Sequence, residues 1–440
     1  MRFFETIYRA GCLLRGTPVF TLLEQLNESQ WWSRERFLEF QLTRLRELLA
    51  HAREHSPFYR RYFGKHGFDR DIVSLDDLKI LSPLGKEDLI ANRDSIQNKG
   101  RGGRLIHSET SGSTGVPFTF YRSSDWDAQH RAAILRGYGW YGVDPWMPSG
   151  LLWGIPASPS GRLRMRIEDF LQNRFRPRRF DLDDETLEDI YQRLSGARFL
   201  EGYSSMIYEL ARFVNREHPG EGPRSLRLVK GTSEKIHPHY QEEAVRAFGR
   251  PITSEYGAAE TGIIAFECPQ GNMHVTMEHV IAEIEDDEIV VTNLLSFSFP
   301  FIRYRLGDFV RIGEDRVCPC RRRSPIIEEV TGRVGKRILG TGGRSFPSLT
   351  IYYILKAIAQ EGDLVSRCQA AQRRRGSLEL LAVPAADLTD PGRAKLNATF
   401  ERLVRHYYGD AITCSVSFVE QIPRGGAKQV DFVSEIEEAD

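Results

Sequence analysis

One run in the chain has residue types suited to phosphate: Ser108-Glu109-Thr110-Ser111-Gly112-Ser113-Thr114-Gly115-Val116-Pro117. It follows a polar, Gly-rich segment at 97–104 and leads into the alternating run Val116-Pro117-Phe118-Thr119-Phe120-Tyr121. Glycine lets a backbone approach a ligand closely and adopt positive φ. Successive amide N–H groups can then form an anion-binding concavity, to which hydroxyls add donors. The spacing is not that of a Walker loop, which needs G-x-x-x-x-G-K-[ST]. A solvated turn has the same composition, so the run alone leaves both readings open.

A second constellation is Cys268, His274, Cys318 and Cys320. Three thiolates and an imidazole can make a tetrahedral zinc site, with bonds of about 2.3 Å and about 2.0–2.1 Å. Four protein ligands leave no open position, so the role would be structural. Cys318-Pro319-Cys320 is tighter than the usual ligand gap, and two buried thiols beside a surface histidine is the plain alternative. Arg321-Arg322-Arg323 follows, a run that either meets phosphate or is simply solvated. The six cysteines, at 12, 268, 318, 320, 368 and 414, are too sparse and irregular for a disulfide framework, so a reducing cytoplasm is expected.

The rest of the chain must position these groups. Its 440 residues permit two or three domains, and 41% apolar and 27% charged residues fit an ordinary soluble protein. Lys+Arg and Asp+Glu balance at 60 each, which gives no reason to expect a nucleic-acid partner. No apolar run reaches the roughly 18 residues of a membrane span. The apolar N-terminus is interrupted by Arg2, Glu5, Arg9 and Arg15. It does not read as a signal peptide; a weak amphipathic surface helix or an ordinary packing helix fits it.

Apolar spacing predicts helices at 31–55, 124–139, 183–195, 204–216 and 237–248, with short apolar strands at 150–155, 199–203 and 226–231. A turn and short helix are expected at 81–94. Strands alternating with helices imply a parallel or mixed α/β sheet. From Gly271 the pattern becomes β-rich, with strands at 279–284 and 288–292 suggesting a meander or small barrel. A smaller α+β unit follows: helices at 348–360 and 391–406, strands at 377–383 and 413–419. The domain boundary is expected near 331–335.

Four further clusters stand in order behind the hydroxyl run. They are Ser254-Glu255-Tyr256-Gly257-Ala258-Ala259-Glu260-Thr261-Gly262, Arg303-Tyr304-Arg305-Leu306-Gly307-Asp308, Thr331-Gly332-Arg333 and Ile422-Pro423-Arg424-Gly425-Gly426-Ala427-Lys428. Their order and spacing resemble the adenylate-forming (acyl-CoA synthetase) superfamily over nearly the whole chain. Residues 41–63 and 202–213 resemble the phenylacetate–coenzyme A ligase/CapK branch.

The resemblance implies an α/β fold with a large N-terminal adenylation domain at 1–333 and a mobile α+β lid at 334–440. It implies two half-reactions: a carboxylate attacks the α-phosphate of ATP to give an acyl-adenylate and pyrophosphate, and a thiol, usually coenzyme A, takes the acyl group. Thr110 and Ser111, Gly112, Ser113, Thr114 and Gly115 would hold the β- and γ-phosphates. Tyr256 would lie against adenine, with Gly257 allowing close approach. Glu260 would hold Mg²⁺. Asp308 would take the ribose hydroxyls, Arg333 ribose or phosphate, and Lys428 would bridge carboxylate and α-phosphate. Gly-Gly-Ala-Lys only approximates the family's Gly-Lys. Glu234 matches a segment near adenine and substrate, but also reads as a helix cap.

The lid would turn about 334–336 between half-reactions, with 340–345 entering the thiol channel. Trp140, Trp153, Gly154, Tyr203, Gly231 and Thr232 would line the acid pocket. The aromatic walls suit an aryl, fatty or sugar-linked acid, and the CapK branch is associated with capsule and surface-polysaccharide loci. Some members carry a similar Cys/His set with Gly after the last cysteine, where Arg321 stands here. A carrier protein, amine or hydroxyl as acceptor, a non-catalytic nucleotide-binding scaffold and a homodimer all stay open.

Overall fold

The computed structural model describes residues 2–68, 72–110, 118–153, 159–177, 183–313, 317–333, 338–342, 344–346, 349–362, 364–422 and 432–436. Contacts divide the chain into two units: Met1–Leu306 with Arg311–Glu329, and Gly307–Val310 with Val330–Asp440.

The first unit begins with helices α1 (Arg2–Leu14), α2 (Val19–Ser29), α3 (Arg34–His55) and α4 (Pro57–Lys65). In α3, Phe37, Gln41, Leu45, Leu48, Leu49 and Ala52 are buried at i, i+4, i+8 spacing. Ser33 caps α3 by accepting from the Arg36 N–H, so the expected helix loses Trp31 and Trp32. Ser56 ends α3 and caps α4, where Pro57 sits in the first turn because its missing N–H would be unused there. Two short helices follow, α5 (Lys86–Ala91) and α6 (Arg93–Ile96).

Strands β1 (Leu105–Glu109) and β2 (Thr119–Ser123) pair antiparallel, Glu109 opposite Thr119. Helix α7 (Ser124–Gly139) starts at once, capped by Ser123, whose side chain accepts from the Trp126 N–H.

An eleven-stranded sheet then builds up. Its parallel part comprises β3 (Ser149–Leu152), β4 (Arg174–Phe175), β5 (Phe199–Tyr203), β6 (Leu228–Thr232) and β7 (Thr253–Ala258), interleaved with α8 (Pro159–Leu171), α9 (Asp184–Leu194), α10 (Ser204–Glu217) and α11 (Pro238–Phe248). At β7 the sheet turns antiparallel through β8 (Gly262–Glu267) and β9 (Met273–Val275). A meander of β10 (Val280–Glu285), β11 (Glu288–Asn293), β12 (Tyr304–Gly313) and β13 (Ile326–Arg333) extends it, in the order β10-β11-β12-β13-β9-β8-β7-β6-β5-β3-β4. The two central parallel strands have apolar residues on both faces, as expected for strands covered on each side. Ile207, Leu210 and Phe213 of α10 and Phe248 of α11 cover Leu200 and Val229 in one core. Ala128, Ala132 and Leu135 of α7 cover Phe199, Leu228 and Phe266 in another.

In the second unit, β14 (Ile338–Leu339) pairs with β15 (Ser345–Phe346), followed by α12 (Leu349–Gln360). Strands β16 (Val365–Arg374) and β17 (Ser377–Pro384), helix α13 (Asp390–Tyr408), β18 (Thr413–Phe418) and β19 (Phe432–Ser434) complete it, with sheet order β18-β17-β16-β19. Ile354 and Ile358 of α12 and Phe400 and Leu403 of α13 pack on Leu378 and Leu380.

Candidate active site

Register places the site. Leu152, Gly202, Gly231 and Ser254 stand side by side across β3, β5, β6 and β7. The residues that follow them along the chain are Trp153, Tyr203, Thr232 and Glu255. Ligands of open α/β sheets bind beyond these carboxyl ends. Trp153 and Tyr203 stack with ring centroids 4.3 Å apart and planes at 10°. Thr232 Oγ1 donates to Glu255 Oε1 at 3.3 Å. A Cβ on Gly202 would sit 2.5 Å from the Leu152 carbonyl oxygen, so only glycine fits that rung.

Below that edge lies a charge cluster that sequence reading missed. Lys230 Nζ is 3.0 Å from Glu255 Oε2 and 3.3 Å from Glu201 Oε2, and the Tyr138 hydroxyl donates to Glu201. Burial alone would drive Lys230 neutral, but Glu255, Tyr138 and Glu201 hold its pKa well above the usual lysine value. Burial likewise pushes Glu201 up; Lys230 and Tyr138 outweigh it and leave its carboxyl below the usual range. The available signal was a charged residue in each of two largely apolar strands, Glu201 in β5 and Lys230 in β6.

The hairpin of β7 and β8 carries the next groups. Ala258 pairs with Gly262, so the turn between them is tight. A Cβ on Gly257 would come within 2.2 Å of the Gly262 carbonyl oxygen. Tyr256 is half-buried on β7, next to the bulge between Tyr256 and Gly257. Glu260 is buried at the turn; its Oε1 accepts from the Tyr304 hydroxyl at 3.2 Å and its carbonyl from Asn293 Nδ2 at 3.0 Å. Strand β12 buries Tyr304, Leu306, Asp308 and Val310 on one face, which makes Asp308 a carboxylate in an apolar position. Arg333 ends β13.

The expected phosphate run 111–117, Gly154, Lys428 and the hinge at 334–336 lie outside the described residues. The run's two ends are clasped, since Thr110 N–H donates to the Phe118 carbonyl at 2.9 Å and Phe118 N–H to Thr110 Oγ1 at 3.3 Å.

No family model matches the chain. Protein CapK of Staphylococcus aureus is 22% identical over 306 residues, 67% of each chain. A solved 2-hydroxyisobutyryl-CoA ligase, in the postadenylation state in complex with 2-HIB-AMP, aligns with a TM-score of 0.71 over 93% of this chain and 92% of its own, at 18% identity. The chain has the adenylate-forming fold. ATP-bound MatB from Rhodopseudomonas palustris aligns with a TM-score of 0.50 over 74% of this chain and 66% of its own, at 16% identity. Within the adenylate-forming fold, the sequence likeness of this chain lies with the CapK branch.

Two of the expected site residues have other contacts. Glu234 Oε2 accepts from the Ser205 N–H at 2.8 Å, where a carboxylate meets the start of α10. Trp140 does not join the Trp153–Tyr203 pair. It sits at the end of α7, with Arg322 3.9 Å over its ring and His274 edge-on at 6.3 Å. The end of the helix places it against Phe266 and the Cys/His cluster.

That cluster is compact. The ligand atoms of Cys268, His274, Cys318 and Cys320 all lie within 4.8 Å of one another. Cys268 Sγ is 3.7 Å from Cys318 Sγ and Cys320 Sγ is 3.2 Å from His274 Nε2. A tetrahedron with bonds of about 2.3 Å has edges of about 3.8 Å, so the donor set fits a zinc ion. His274 Nδ1 faces the Ser324 carbonyl and hydroxyl oxygens, both at 3.4 Å, which directs Nε2 at the cluster. Burial pushes the Cys268 thiol up to about 12 and the His274 imidazole down to about 4.

Proposed function

We propose that this chain is an AMP-forming acid–thiol ligase. A carboxylate oxygen attacks the α-phosphorus of ATP, the α–β bridging P–O bond breaks, and pyrophosphate leaves. The thiolate of coenzyme A then attacks the acyl carbon of the adenylate and AMP leaves with the bond electrons. The observation that carries this reading is the edge formed by Trp153, Tyr203, Thr232 and Glu255 beside the Tyr256–Glu260 hairpin, in a fold shared with a ligase in complex with its acyl-AMP.

In this reading Ser111, Gly112, Ser113, Thr114 and Gly115 hold the β- and γ-phosphates, Tyr256 and Glu234 the adenine side, and Asp308 and Arg333 the ribose. Lys428 neutralises charge building between carboxylate and α-phosphate, which is electrostatic catalysis without a protein nucleophile. Glu260 would hold Mg²⁺, a hard cation that offsets phosphate charge. Trp153, Tyr203, Gly231 and Thr232 face the acid. Residues 334–440 act as the lid, turning at 334–336. Cys268, His274, Cys318 and Cys320 would hold a structural Zn²⁺ that fixes the local turns. An enzyme fed by ATP and coenzyme A works in the cytoplasm.

Mass spectrometry of a reaction with ATP, Mg²⁺ and a panel of aryl, fatty, hydroxy and sugar-linked acids tests the proposal. One acid class should give an acyl-AMP that coenzyme A converts to a thioester. An acyl-AMP that coenzyme A leaves intact would overturn the acceptor and point to a carrier protein or another nucleophile.

A further inference from the structure

Helix α8 is built inside out. Leu163, Ile167, Phe170 and Leu171, at i, i+4, i+7 and i+8, form one apolar stripe, yet they are 61%, 52%, 62% and 39% exposed. The inward position goes to Asp169, which is buried and pairs with Arg174 at 2.5 Å and Arg176 at 3.0 Å. An ordinary surface helix shows the reverse arrangement. Helix α1 lies against it, Phe4 meeting Phe170 edge-on at 6.1 Å, and adds Phe3, Leu13 and Leu14 at 62%, 80% and 89% exposure. A recess of about 310 Å³ lies where Phe4 of α1 and Phe170 of α8 meet the sheet edge at Ser149 and Phe175.

The sequence that carries this patch is rich in arginine. Residues 162–179 hold seven arginines against two carboxylates, in a chain whose total charge is zero. Two of the arginines, Arg174 and Arg176, are spent on the buried Asp169. Arg164 and Arg166 are exposed on α8 itself. Arg164 pairs with Glu168 at 2.9 Å while its side chain stays 83% exposed, a contact too solvated to hold it.

We infer that the face made by α1 and α8 docks on the surface of a bilayer containing anionic lipid. Exposed Phe and Leu on helices flanked by arginine is the pattern of helices that lie in the headgroup layer, with apolar side chains entering the acyl boundary and cations meeting lipid phosphate. Protruding side chains such as Leu13 and Leu14 suit a fluid interface, which needs no matching shape; a protein partner would have to supply one. No helix among the described residues is long and apolar enough to cross a membrane, so the attachment is peripheral.

Vesicle flotation of the full chain tests this. The probe is phosphatidylcholine vesicles with and without roughly one-third phosphatidylglycerol. The protein should float with the anionic vesicles at low salt and stay behind with the neutral ones. Binding should fall about tenfold or more at high salt, in Leu163→Glu with Ile167→Glu, and in Arg164→Glu with Arg166→Glu. Leu14→Glu, on the other helix, should weaken it too. Each variant should keep the wild-type unfolding midpoint, since the altered side chains are exposed. Wild-type protein that ignores anionic vesicles, or variants that bind as well as wild type, would overturn the inference. So would light scattering that shows a dimer dissolved by Leu163→Glu with Ile167→Glu and no vesicle binding, which would make the face a contact between two copies.

Discussion

Lys230 stands between two carboxylates inside a sheet, and the arithmetic of that cluster is uneven: one ammonium faces Glu201 and Glu255. Removing the cation strands both anions, whereas removing Glu201 leaves a neutral pair. Lys230→Met should therefore cost about 3 kcal/mol or more of stability, and Glu201→Gln clearly less. Urea unfolding measures both, and equal costs would contradict the geometry. His279 gives a pH signature. It is buried, and burial followed by repulsion from Arg136 holds its pKa well below 6.5. The unfolded chain binds that proton near 6.5 while the folded chain refuses it. Stability is then present above 6.5 and is lost as pH falls, with a slope of about 1.4 kcal/mol per pH unit for one proton. In His279→Gln the slope between pH 5 and 6.5 should shrink by about that much in urea midpoints. An unchanged slope would mean that His279 titrates normally.

Elements differ in how clearly their residues announced them. Helices α9, α10, α11 and α13 were legible to within a few residues from their apolar period, helped at α9 by the Asp183 cap. Strand β7 was hidden because Thr253-Ser254-Glu255-Tyr256-Gly257-Ala258 is small and polar, and β8, Gly262-Ile263-Ile264-Ala265-Phe266-Glu267, because a short apolar run without alternation does not declare a strand. Strand β16 was missed for another reason: Cys368, Gln369, Ala370, Ala371 and Gln372 carry little β-propensity, and pairing with β17 and β19 decides the matter. The Cys/His set was legible as a set, but its closure depends on β9, which brings His274 back beside the 318–320 turn. If zinc closes it, purified protein should carry about one zinc per chain, and chelation or Cys318→Ser should lower the melting temperature by several degrees. Metal analysis finding none, with an unchanged melting temperature in Cys318→Ser, would contradict this. The β7–β8 hairpin makes a sharper test. Gly257→Ala must push the Gly262 carbonyl, 2.2 Å away, and so shift Glu260. Activity should fall about tenfold or more while most stability remains; full activity would mean that the hairpin does not position the site.

At the scale of the molecule, the proposed function draws on both contact units: Glu260 belongs to the first and Asp308 to the second. Five motifs in order made this architecture readable before any coordinate, whereas the acid was not readable, because the residues expected to line its pocket, such as Trp153 and Tyr203, are generic in type. The outward apolar face of α1 and α8 was equally hidden, since an apolar stripe in a sequence does not say which way it points. The central claim is that the chain forms an acyl-adenylate, and acid-dependent ATP–pyrophosphate exchange tests it most directly, with wild type beside Glu260→Gln and Lys428→Ala. The account predicts exchange with one acid class and a loss of about 10²-fold or more in each variant, about 2.7 kcal/mol of barrier. Exchange that survives undiminished in both variants, or ATP binding with no exchange across the acid panel, would contradict it.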